Sequence, residues 1–192
     1  MNGLTVGFAL CGSFCTFHQA IPCMRALADE GASVVPILSE TAWATDTRFG
    51  AAADIRSRIE TICQREILHT LTDVEPIGPK KLLDLLIIAP CTGNTLGKLA
   101  NGITDSCVTL AAKAHLRNTR PLLLAVSTND ALGTSAQNIG RLLTAKHVFF
   151  VPMGQDDPVR KTNSVVADFG RLVEAAEAAM RGEQLQPLLI GA

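Results

Sequence analysis

With 192 residues and a mass of 20.4 kDa, the chain has the length of one folded domain. Its 47% hydrophobic and 18% charged residues, with a mean hydropathy of +0.26, exclude an intrinsically disordered chain. Seventeen Lys and Arg against eighteen Asp and Glu leave a net charge of −1, so no field exists to hold a polyanion, and nucleic acid is excluded as a partner.

Taken in chain order, Leu4-Thr5-Val6-Gly7-Phe8-Ala9-Leu10 reads as a buried strand that breaks at Gly12-Ser13 into a helical pattern ending near Glu30. Pro22 lies inside that helix and Gly31 stops it. Ala32 to Leu38 is a second strand, and Pro36 suits it to a sheet edge. A helix is expected from Asp46 to Leu68, then a turn-rich segment from Asp73 to Lys81. Leu82 to Ala89 is the strongest apolar strand, closed by Pro90. Helices follow over about Thr95–Asn101 and Asp105–Arg117, with Asp105 as the expected N-cap. The remaining expectations are a strand at Pro121–Val126, a helix at about Thr134–Ala145, a short strand at Val148–Val151 and a last helix over Ser164–Arg181.

Strands alternating with helices at this spacing imply parallel strands joined by right-handed crossovers. The expected fold is a single α/β domain over residues 1–192, a doubly wound, Rossmann-like parallel sheet sandwiched by helices, with 182–192 as a C-terminal arm. No apolar run approaches the roughly 20 residues of a membrane span, and the start lacks a cationic region before an apolar one. A cytoplasmic protein with no membrane partner is expected. Low charge with high apolar content points to a homo-oligomer. The six cysteines form no C-x-x-C pair and the four histidines no short-range ligand pair with them, so no metal site is expected, and most thiols read as small buried hydrophobes.

In an open parallel sheet the ligand lies beyond the carboxyl ends of the strands. That selects four loops: Cys11–Phe14, Ser39–Trp43, Pro90–Thr95 and Ser127–Asp130. All are rich in small hydroxyl or amide residues. Gly7-x-Ala9-x-x-Gly12-Ser13 lacks the central glycine of the dinucleotide fingerprint, yet Gly12 allows a close turn, and Ser13 stands where a helix start favours an anion. The polar loop Pro90-Cys91-Thr92-Gly93-Asn94-Thr95, directly after the most buried strand, suits the grip of a cofactor ring.

Continued to Asp105, that loop resembles the signature Pro-Ala-Ser/Thr-x-Asn-Thr-x-x-Lys-x-Ala-x-Gly-x-x-Asp of the homo-oligomeric flavin-containing cysteine decarboxylase superfamily. Pro90, Thr92, Asn94, Thr95, Lys98, Ala100, Gly102 and Asp105 fall on the pattern, and Cys91 departs from it. The resemblance implies flavin mononucleotide (FMN) held by Gly12, Ser13, Phe14, Ser39, Pro90, Thr92, Asn94, Thr95, Ser127, Thr128 and Asn129, and a trimer-based assembly. Lys98 and Asp105 are the catalytic candidates. The loop Ser127-Thr128-Asn129-Asp130 differs from the Pro-x-Met-Asn type of the decarboxylases, so their substrate clamp is not carried over. His69 lacks the neighbours of their catalytic histidine.

Three further stretches, Glu75–Lys80, Ala125–Gly133 and Phe150–Pro158, resemble a narrower group in that superfamily, the flavoprotein-like component of a two-component enzyme of spore-forming bacteria. Met153 and Thr162 depart from its usual aromatic and proline. This resemblance implies oxidation of a dihydropyridine dicarboxylate to its aromatic product in the sporulating mother cell, with NAD(P) on a partner subunit. A stand-alone decarboxylase, a non-catalytic scaffold and a nicotinamide-binding domain with Glu40 as its ribose acid are the alternatives. A dicarboxylate needs cations, and Lys98, Lys80, Lys81, Arg160 and Lys161 are candidates. Gln155–Asn163 is long for an α/β connection and reads as a functional loop.

Overall fold

The computed structural model describes residues 1–191. Strand β1 (Thr5–Leu10) runs through a 3-10 turn at Phe14–Thr16 into helix α1 (Phe17–Asp29). Then come β2 (Ser33–Leu38), α2 (Glu40–Ala44), α3 (Ala52–Cys63), α4 (Leu71–Val74), β3 (Leu85–Cys91), α5 (Gly93–Ala100) and α6 (Cys107–Leu116). The chain continues with β4 (Leu122–Thr128), α7 (Ala136–Leu143), β5 (Val148–Phe150), β6 (Met153–Gly154), β7 (Val165–Ala167) and α8 (Leu172–Met180).

Five strands pair in parallel in the order β2-β1-β3-β4-β5. The far half of β4 pairs instead with β7, antiparallel, and β7 with β6, which completes a seven-stranded sheet. Because side chains alternate across a strand, Phe8 and Leu10 pack on one face against α1, α3 and α8, while Ala9 and Cys11 pack on the other with α5, α6 and α7. The doubly wound sandwich expected from the sequence is therefore present, with an antiparallel pair added at one side.

The departures have local causes. Pro36 does sit on an edge strand: its carbonyl accepts from the Leu68 N–H at 3.0 Å, so the side of the residue lacking a donor faces away from β1. Pro90 does not close β3 but lies within it, after a cis Ala89–Pro90 bond, where the register against β4 slips between Ile88 and Cys91. An irregular ladder tolerates a missing donor. The helix expected from Asp46 begins only at Ala52, whose N–H donates to Asp46 Oδ1 at 2.8 Å, and it ends where Gln64 turns left-handed at φ 53°. The last helix was expected from Ser164, yet the β-branched pair Val165-Val166 forms β7 instead.

The tail returns along its own chain. Gln184 brackets Phe150 with two hydrogen bonds of 2.8 Å, and Met153 exchanges bonds of 2.9 Å with the Leu188 carbonyl and the Ile190 N–H. Residue 192 of the expected arm lies outside the described residues. Among the described residues no helix is long and apolar enough to cross a membrane.

Candidate functional site

The carboxyl ends of β1, β2 and β3 open onto a cavity of about 300 Å³. It lies where the strand order reverses about β1, the position at which open α/β sheets bind ligands. Its walls are Cys11, Gly12, Ser39, Glu40, Thr41, Thr92, Asn94, Thr95, Lys98 and Ser106. Seven of the residues singled out from the sequence thus meet here, Gly12, Ser39, Glu40, Thr92, Asn94, Thr95 and Lys98, whereas Ser13, Phe14, Pro90, Ser127, Thr128 and Asn129 are not among the lining residues.

The helix starts around the cavity are not equivalent. In α2 the Ser39 hydroxyl accepts from the Ala42 N–H at 3.2 Å, and in α5 Thr92 accepts from Thr95 N–H at 3.4 Å. Helix α6 is closed twice, by Ser106 accepting from Thr109 N–H at 3.3 Å and by Glu40 Oε1 accepting from Cys107 N–H at 2.9 Å. The segment entering α1 is open: among the described residues the N–H groups of Phe14 and Cys15 meet no acceptor. The Ser13 side chain does not cap this start. Its hydroxyl pairs with Ser127 Oγ at 2.8 Å, and Thr16 Oγ1 donates to the Ser13 carbonyl at 2.8 Å. Free N–H groups beside three neutral hydroxyls are the donor set an anion needs.

Close backbone approach explains two glycines. A Cβ on Gly12 would stand 3.3 Å from Thr41 Cγ2, filling the floor of the turn. A Cβ on Gly93 would stand 2.7 Å from Asp130 Oδ1 and 2.8 Å from both Ser135 Oγ and Thr128 Oγ1. Asp130 gathers this knot, accepting from Thr128 at 2.5 Å and from Ser135 at 2.9 and 3.0 Å, and so locks the loop after β4 onto the start of α5. The Thr128 hydroxyl is thereby committed to Asp130. Asn129 is exposed, Phe14 is half-buried and packs 5.2 Å from Phe17, and Pro90 contributes its carbonyl to Cys11 N–H at 3.3 Å.

The charged residues sort by position. Lys98 Nζ lies 2.8 Å from Asp105 Oδ1, and that hydrogen bond holds the Asp105 carboxyl below the ordinary carboxylate range. Asp105 is therefore the partner of Lys98, and Ser106, not Asp105, caps α6. Lys80 and Lys81 precede β3 and lie at the opposite end of the sheet. Arg160 and Lys161 lie in the β6–β7 loop, which emerges at the ligand end because Val165 pairs with Thr128. The loop is internally tied: Lys161 Nζ is 2.7 Å from Asp156 Oδ2, and Gln155 Nε2 donates to the Thr162 carbonyl at 2.8 Å.

Cysteine chemistry is absent from the cavity walls. Burial pushes the Cys11 thiol up to about 11, and it pushes Cys91 and Cys107 upward as well. A protonated thiol is a poor nucleophile. His69 does not line the cavity; it stacks on Trp43 at 3.6 Å and stands 3.6 Å from Asp73.

Sequence reasoning missed Thr16 and Ser106, reached Thr41 only as part of the Ser39–Trp43 loop, and considered Glu40 by itself only as a ribose ligand. Ser106 carried a readable sign, the Ser-x-x-Thr spacing of its capping box with Thr109. Glu40 carried none, because its partner is 67 residues away.

The flavoprotein family model matches residues 1–180. The B subunit of dipicolinate synthase from Bacillus subtilis is 45% identical over 190 residues, which span 99% of this chain and 95% of that protein. The crystal structure of the corresponding B subunit from Bacillus halodurans superposes with a TM-score of 0.91 at 47% identity, covering 100% of this chain and 99% of that one. A dodecameric FMN-dependent UbiX-like decarboxylase from Escherichia coli O157:H7 shares the fold at a TM-score of 0.63 and 21% identity, covering 78% of this chain and 80% of its own.

Proposed function

The chain belongs to the flavoprotein family, and from that premise we propose that it acts as the B subunit of dipicolinate synthase. In this reading it binds FMN and, with the nicotinamide-binding A subunit of that enzyme as its partner, oxidises dihydrodipicolinate to dipicolinate in the cytoplasm of a sporulating mother cell. The observation that supports the cofactor reading is the segment entering α1 beside the cavity-lining Gly12, which has no side-chain cap: the Phe14 and Cys15 N–H groups meet no acceptor among the described residues, and the Ser13 hydroxyl pairs with that of Ser127. The 45% identity to a known B subunit over nearly the whole chain supports the reaction.

The residues fit the cofactor in kind. A phosphate would be held by Gly12, Ser13 and the N–H groups of Phe14 and Cys15, with Ser127 behind them. Ser39, Thr92, Asn94 and Thr95 would meet the ribityl chain and ring edge with neutral donors and acceptors, while Phe14 and Pro90 supply apolar surface. Thr128 and Asn129 would border the same ligand. When bound, the flavin supplies a two-electron acceptor. Lys98 would pair with a substrate carboxylate, with Asp105 keeping its ammonium in place. The loop Gln155–Asn163 would cover the substrate or meet the nicotinamide-binding partner, bringing Arg160 to the ligand end. The chain would form a trimer-based homo-oligomer with the flavin at the boundary between protomers, a reading with which the dodecameric assembly of a protein of the same fold agrees.

The test is to purify the chain with FMN, alone and with its nicotinamide-binding partner, and to follow dihydrodipicolinate oxidation. Activity only in the pair is the expected result. Carbon dioxide release from a carboxylated thiol substrate by the chain alone would favour the stand-alone decarboxylase. Inactivity of both preparations would favour the scaffold. Light scattering at micromolar concentration should show an oligomer.

A further inference from the structure

Only two charged side chains line the cavity among the described residues, Glu40 and Lys98, and the two residues that flank the N-cap of α6 hold both. Asp105 pairs with Lys98 at 2.8 Å, and the Cys107 N–H donates to Glu40 Oε1 at 2.9 Å. Ser106 between them caps the helix. Glu40 is exposed on the cavity wall, and its second oxygen, Oε2, has no partner among the described residues. A carboxylate anchored through one oxygen, with the other free in a cavity that also presents an ammonium, suits a carboxylate ligand that must lose a proton. Thr41, Ser39 and Asn94 are neutral, and burial leaves the thiol of Cys11 protonated, so no other group lining the cavity is placed to take a proton.

We infer that Glu40 is the catalytic base, accepting the proton released when the dihydropyridine ring becomes aromatic. The inference rests on the dicarboxylate reading above. One saturated ring carbon gives up a hydride, with its electron pair, to the oxidised flavin or nicotinamide that serves the reaction. The neighbouring saturated carbon gives its proton to Glu40 Oε2, and the electrons of that C–H bond close the third double bond of the ring. Lys98 would face a ring carboxylate, which sets the acidic C–H toward the opposite charge. The hydrogen bond from Cys107 N–H fixes the direction of the carboxylate, as a base needs before proton transfer.

Glu40→Gln isolates the proton, because a glutamine oxygen can still accept from Cys107 N–H and keep α6 closed. In the reconstituted pair it should lower kcat roughly 100-fold or more with KM within threefold, and remove the acidic limb of the pH profile. A binding readout needs no turnover. The product, pyridine-2,6-dicarboxylate, is a dianion, and it should drive a proton onto Glu40 when it enters the FMN-loaded chain. Calorimetry in buffers of different ionisation enthalpy should then show more proton uptake by the native chain than by Glu40→Gln. Equal proton uptake by the two, or an unchanged pH profile in the variant, overturns the base assignment and leaves the dicarboxylate reading standing. Failure of the native chain to bind the product overturns the dicarboxylate reading, and the base assignment with it.

Discussion

Two of this molecule's concavities differ in kind, and the larger of the pair is not the better candidate for chemistry. An apolar groove of about 440 Å³ runs between α7, β6 and the tail, lined by Ala131, Leu132, Ile139, Leu143, Met153 and Leu189 among others. The polar cavity over β1 and β3 is about 300 Å³. In the groove the backbone is already satisfied, since Met153 bonds Leu188 and Ile190. At the cavity and the adjoining start of α1 backbone donors are left unmet among the described residues, neutral hydroxyls cluster, and a carboxylate and an ammonium line the wall. Size measures how much apolar surface a ligand could cover, whereas directional groups left unpaired decide which ligand is recognised and how it is oriented.

The contrast can be broken most forcefully at the open helix start. Ser13→Asp places a carboxylate beside the expected phosphate, and flavin affinity should fall about 100-fold or more in a fluorescence titration. Wild-type affinity in that variant would move the phosphate elsewhere.

A second experiment separates the scaffold from the site, because α6 touches the cavity with one end and carries buried His115 near the other. Burial pushes the His115 ring down to about 4, partly countered by its bond to the Pro121 carbonyl at 2.8 Å. The unfolded chain binds this proton near pH 6.5, so stability is full above that value and is lost as pH falls toward 4. The loss should reach on the order of 3 kcal/mol, at about 1.4 kcal/mol per pH unit. Chemical denaturation of His115→Gln across pH 4 to 7 should show that part of the dependence removed.

Gly93→Ala tests the contact between the two motif loops. Its Cβ must displace the Asp130, Ser135 and Thr128 oxygens, so unfolding should be easier by about 1–3 kcal/mol in denaturant titration. Flavin affinity should drop with it as the start of α5 shifts. The smallest effect is expected in the groove: Leu189 is 73% exposed, and Leu189→Ser should leave flavin affinity within twofold. A marked loss there would erase the distinction between the two concavities.

Much of this organisation was legible in the sequence, for identifiable reasons. The runs Thr5–Leu10 and Leu85–Ile88 are continuous and apolar because both faces of the sheet are covered, and Pro36 marked the edge through its missing donor. The hydroxyl loops were found because topology alone puts them at the carboxyl ends of parallel strands. What stayed hidden depends on distant partners. Val165-Val166 merged into the helical pattern after it, since its strand identity comes from pairing with Ser127 and Thr128. Asp105 and Ser106 are both good N-caps by type, and only Lys98 decides between them by engaging Asp105. Nothing local distinguishes Glu40 from a solvated acid.

The central claim, that the polar cavity holds FMN through the open start of α1, is tested most directly by titrating the purified chain with FMN in parallel with Ser13→Asp, following flavin absorbance and fluorescence. The expected result is saturable binding of one FMN per chain, lost in the variant with its thermal stability intact. Absence of binding by the native chain, or equal binding by both proteins, would contradict the account.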